Sequence, residues 1–93
     1  MVYLVTYDLK SPNDTSVDYT RVISAIKALY PVWCHLEESV WLVSSSADSA
    51  SIRESLKPYL YDKDVLFVAR LSGGWAARNL DRAQVNWLQS TQF

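Results

Sequence analysis

An α+β domain, with an antiparallel four-stranded sheet carrying two helices on one face, is the fold class this sequence predicts, and three observations predict it. Four short segments are rich in β-branched and aromatic residues, at Val2–Leu9, Val32–Leu36, Ser39–Ser44 and Val65–Leu71. Between the first and second, and between the third and fourth, apolar residues recur at helical spacing. The first and third segments are apolar at both parities, as strands in the middle of a sheet covered on both faces should be.

The first strand reads Val-Tyr-Leu-Val-Thr-Tyr before an acid, Asp8, arrives at its end. The polar run Lys10 to Ser16 then reads as a loop, so Asp8 falls on the rim of the sheet, where sites are commonly built. Thr15-Ser-Val-Asp18 fits a capping box, and Tyr19, Val22, Ile23, Ile26, Leu29 and Tyr30 form one stripe of a first helix that Pro31 stops. Val32–Leu36 and Ser39–Ser44 make a hairpin around Glu37-Glu38. A second helix starts near Asp48, with Ile52, Leu56, Tyr59 and Leu60 as its apolar stripe. Val65–Leu71 is the fourth strand, broken by Gly73-Gly74, and Asp81-Arg-Ala-Gln84 opens a last short helix that docks through Val85, Leu88 and Trp87.

Strand, helix, strand, strand, helix, strand is the order of the ferredoxin-like split βαβ arrangement, which leaves the face opposite the helices open. The expectation is a single ferredoxin-like domain over residues 1–93, in which residues 74–93 form a C-terminal tail with a short helix or an extra strand. In water an open face would be too apolar whichever parity of the first and third strands it presents. Either Tyr3, Val5, Tyr7, Trp41 and Val43 or Val2, Leu4, Thr6, Val40 and Leu42 would lie there. The tail or a second copy must cover it. Aromatic residues at 13%, including four Trp and six Tyr, favour the second copy, with Tyr3, Tyr7, Trp41 and Trp75 expected at a dimer interface.

A formal net charge of −1 excludes a strongly basic nucleic-acid binder. Local contacts with phosphate through Lys10, Arg70 and Arg78, with Arg82 nearby in sequence, stay open beside the reading of these residues as surface pairs. The single Cys34 cannot form an internal disulfide, and His35 reads as a sheet or interface residue rather than a base. No apolar run reaches the ~20 residues of a membrane span, so a cytoplasmic protein with no membrane partner is expected.

Three segments, Val5-Thr-Tyr-Asp-Leu9, Glu38-Ser-Val-Trp41 and Asp62-Lys-Asp-Val-Leu-Phe-Val68, carry a resemblance. Together and in order, the chain resembles the small CRISPR-associated ferredoxin-fold proteins, the second Cas protein of the adaptation machinery, and their stand-alone relatives. The resemblance implies a homodimer in which Asp8 of each copy binds Mg²⁺ as the catalytic, metal-holding carboxylate of an endonuclease cutting RNA or DNA. Oxygen ligands from one or two carboxylates, with phosphate and water, suit that ion. The near-neutral charge and the tail beginning Gly73-Gly74-Trp75 depart from the integration-scaffold members and lie closer to a stand-alone relative. Two readings of Asp8 stay open, the metal ligand and a residue that merely caps its loop. The alternative function is a non-catalytic dimeric module that binds nucleic acid or a protein partner.

Overall fold

A computed structural model of the chain describes residues 1–10 and 15–93, the side chains of Thr15 and Ser16 excepted. Strand β1 (Val2–Asp8) is followed by helix α1 (Thr15–Leu29), the hairpin β2 (Trp33–Glu37) and β3 (Val40–Ser44), and helix α2 (Ser49–Leu56). A 3₁₀ turn (Lys57–Tyr59), strand β4 (Val65–Leu71) and helix α3 (Arg82–Ser90) complete the order. The four strands form one antiparallel sheet in the order β2-β3-β1-β4. This small α+β architecture is compatible with a ferredoxin-like fold.

The register settles which parity of β1 faces the helices. Tyr3, Val5 and Tyr7 share a face with Trp41, Val43 and Val68, and that face packs on Val22, Ala25 and Ile26 of α1 and Ile52 and Leu56 of α2. Bulky aromatic side chains fill the roughly 10 Å between a sheet and the layer upon it, and the Tyr3 hydroxyl reaches the Ala47 carbonyl at 2.6 Å. The α1 stripe is rotated from the expected one. Ala25 is buried, whereas Leu29 in the last turn is exposed, because the buried face runs through Val22, Ala25, Ile26 and on to Tyr30, and Leu29 lies off it.

Val2, Leu4, Leu42, Cys34, Leu36 and Leu71 lie on the opposite face, where Leu80, Trp87, Leu88 and Phe93 of the tail cover them. Helix α3 therefore docks in cis. Gln84 fixes its start by donating from Nε2 to the carbonyls of His35 at 2.8 Å and Leu36 at 3.0 Å, next to the irregular pairing between His35 and Glu37.

Caps follow the sequence closely. Asp48 accepts from the Ser51 amide at 2.8 Å, which holds its carboxyl below the usual range, and Asp81 and Gln84 form the reciprocal box with bonds of 2.8 and 3.0 Å. The Thr15 side chain, on which the box expected at Thr15–Asp18 depends, lies outside the described residues, and Asp18 stands in the first turn of α1. Gly73 at φ 87° ends β4 in a conformation that costs glycine little, and Asn79 at φ 66° makes the second reversal before α3. Asp81→Ala should cost about 1 kcal/mol of helix stability. Amide exchange across α3 should accelerate several-fold while that of β1 stays unchanged, since the cap holds only the tail.

Candidate functional site

Tail and helices leave one part of the sheet bare. In the register Asp8 stands opposite Val65, and Thr6 stands between Phe67 of β4 and Val40 of β3. These side chains belong to the tail-side face, beyond the reach of α3. Phe67 is 57% and Val65 50% exposed, so this strip is apolar surface in water beside an acid.

Asp8 ends β1 because the chain leaves the sheet there, its carboxylate on the rim and its side chain 60% exposed. Lys10 Nζ approaches its Oδ2 at 2.7 Å. The hydrogen bond to Asp8 and the carboxylate's charge raise Lys10 above the usual lysine value, so Lys10 is an ammonium at neutral pH. The Lys10 amide donates to Asp64 Oδ1 at 2.8 Å, while Asp64 Oδ2 takes the Tyr61 amide at 2.9 Å. One carboxylate thus joins the exit of β1 to the entrance of β4. Sequence reasoning did not single out Asp64; its position just before β4, within Asp62-Lys-Asp64, was the only signal.

The other expected site residues are dispersed. Arg70 stands opposite Tyr3, five positions along β4 from Val65, roughly 17 Å from the Asp8 end at strand spacing. Arg78 lies in the segment before α3 and Arg82 opens α3. All three are exposed, and their side chains make no hydrogen bond or ion pair with the described residues. Among the described residues only Lys10 joins Asp8.

Tyr3, Tyr7 and Trp41 require a correction as interface residues. They are buried at 2%, 4% and 0% exposure beneath α1 and α2, so no second copy can reach them. Both parities of β1 are apolar, and the aromatic one fills the thicker layer. Trp75 alone of the four is exposed. Phe67 and Val65 of β4, which the sequence reading places only within the fourth strand, form the bare strip instead.

His35 stacks on Trp41 with centroids 3.9 Å apart and rings 8° from parallel, and its Nε2 lies 3.0 Å from the Glu38 carbonyl oxygen. It is a sheet residue, stacked through its ring and tied through Nε2. The Ser39 carbonyl accepts from the Tyr7 amide at 3.3 Å, tying the hairpin to the end of β1. Burial, with the charge of Asp81 adding to it, pushes the Cys34 thiol up, and no nucleophile results.

Asp8 has the chemistry of a hard-cation ligand: an exposed oxygen donor that already holds one cation. No group of three ligating side chains occurs among the described residues. No helix among the described residues is long and apolar enough to cross a membrane. No protein-family model matches the chain, and no curated protein matches it.

Proposed function

We propose that the chain is a homodimeric, Mg²⁺-dependent nuclease of the small CRISPR-associated ferredoxin-fold type, or a stand-alone relative of it, acting on RNA or DNA phosphodiesters. The observation that carries this reading is the placement of Asp8 beside Val65 and Phe67 on the bare strip. A second copy covering that strip about a two-fold axis would remove the apolar surface from water and bring two Asp8 carboxylates toward one point. The segments around Asp8, Trp41 and Val68 and the strand order support the family reading. Mg²⁺ held by the paired carboxylates would polarise the phosphodiester and lower the pKa of a bound water. Lys10 supplies positive charge at the same place, and Arg70 and Arg78 can engage phosphates further along a strand of nucleic acid.

The test has two arms. Sedimentation equilibrium of the wild type should give twice the chain mass and that of Phe67→Asp a monomer, because the change sets two carboxylates against the shared strip. Cleavage of single- and double-stranded RNA and DNA with Mg²⁺ should fall at least tenfold in Asp8→Asn, which keeps the shape and removes the ligand charge. Equal cleavage by both proteins would end the proposal.

The pairing of Asp8 with Lys10 favours a second reading, in which Asp8 orders the exit of β1 and the dimer binds nucleic acid or a protein without cutting. Stable complexes with no turnover under any divalent metal would select it.

A further inference from the structure

The Lys10–Asp8 pair is held differently from an ordinary surface pair. Exposed ion pairs lose much of their attraction to the entropy of holding long side chains in place. Here the Lys10 backbone is fixed by its amide's bond to Asp64 Oδ1, and Asp64 is itself held by the Tyr61 amide on Oδ2 and by its own amide on the Tyr61 carbonyl at 3.0 Å. The stem of Lys10 thus starts from a fixed point two residues beyond Asp8, and its ammonium occupies Oδ2, one of the two oxygens open to a cation, and offsets the charge of both.

From this geometry we infer that Lys10 is a resident counter-ion of Asp8 which a phosphodiester draws away, so that phosphodiester and divalent cation bind cooperatively. The inference rests on the reading of Asp8 as a cation ligand. An ammonium carries three donors on a flexible four-carbon stem, so it can swing from a carboxylate to a phosphate oxygen while its backbone stays fixed by Asp64. With no phosphodiester present, a divalent ion meets a carboxylate already carrying the ammonium's charge, and has the whole group to itself only by moving the ammonium into water. With one present, the ammonium moves onto the phosphate and the carboxylate is free for the ion. By linkage each ligand then strengthens the other by the same factor. The cation would thus be held firmly only once a substrate backbone lies against the rim.

The experiment measures Mn²⁺ binding rather than turnover, by paramagnetic broadening of the amide signals of residues 7–9 during titration, with and without dimethyl phosphate as a minimal phosphodiester. Lys63→Gln, which removes the same charge from a lysine with no contact to Asp8, is the control for net charge. Lys10→Gln should bind Mn²⁺ about two- to fivefold tighter than both wild type and Lys63→Gln. Dimethyl phosphate should tighten Mn²⁺ binding by a similar factor in wild type and Lys63→Gln and leave Lys10→Gln unchanged. Equal Mn²⁺ affinity in Lys10→Gln and Lys63→Gln, or an undiminished effect of dimethyl phosphate in Lys10→Gln, would overturn the inference alone. Broadening in Lys10→Gln that persists when Asp8→Asn is added would overturn the reading of Asp8 as the ligand and the inference with it.

Discussion

Trp41→Ala is expected to lower the unfolding free energy by about 3–5 kcal/mol, a large fraction of what a domain of this size has. Trp41 is fully buried at the middle of the sheet, in contact with Trp33 at 5.2 Å and His35 at 3.9 Å between ring centroids, and its indole N–H donates to the Tyr7 hydroxyl at 3.0 Å. Truncation removes the packing and leaves a cavity between the sheet and the helices that α1 and α2 can close only in part. Urea denaturation followed by far-UV circular dichroism measures the loss as a shift of midpoint at constant slope. Tyr7→Phe isolates the polar part, because it leaves the buried indole N–H without its acceptor at about 1–3 kcal/mol while keeping the ring.

Tyr7 also sets a pH limit. Burial raises its phenol above the ordinary tyrosine value of 10.0, against the opposing hydrogen bond from Trp41, with smaller contributions from Tyr19 and Glu38. The folded state therefore keeps its proton more tightly than the unfolded chain does. The stability from the protonated phenol is complete below about pH 10 and is lost as pH rises through the folded value. In Tyr7→Phe this part of the alkaline loss should be absent.

The second large effect is expected of Leu88→Asp. Leu88 is 5% exposed at the contact of α3 with Val2, Leu42 and Cys34, and a lone carboxylate there has no partner. The helix should undock rather than bury the charge. Cys34, the only cysteine of the chain, then reports the event, since a buried thiol reacts only through openings that expose it. Labelling by a disulfide reagent at neutral pH should accelerate on the order of a hundredfold over wild type. An unchanged rate would mean that α3 does not shield this face in solution. Leu88→Met, which keeps volume and polarity, should label at the wild-type rate.

Much of this architecture can be read from the residues. Strand β4 occupies the expected Val65–Leu71, β1 ends one residue before the expected Leu9, and Asp48 and Asp81 cap the helices they were expected to cap, because these signals are local. Assigning the two faces of β1 needed tertiary information. Tyr3, Val5 and Tyr7 and Val2, Leu4 and Thr6 are both plausible core sets, and only the relative bulk of what packs on each side separates them. That ambiguity placed the interface on the wrong aromatics. It also hid Phe67, whose exposure follows from α3 stopping short of the Asp8 end rather than from anything in Val65–Leu71. Asp8 was visible as an acid at a strand end, whereas its ties through Lys10 to Asp64 span more than fifty positions of sequence and could not be.

The two faces of the sheet are also completed at different moments of synthesis. The helix-side layer has all its parts once Leu71 has left the ribosome, since β1 needs β4 and β4 is the last strand. Val2, Leu42 and Cys34 wait for α3, which ends at Ser90. In the interval between those two events a greasy sheet surface stands open on a nearly finished domain. A nascent chain paused in that window should be a strong client for chaperones that bind exposed apolar strands, and one released after α3 a weak one.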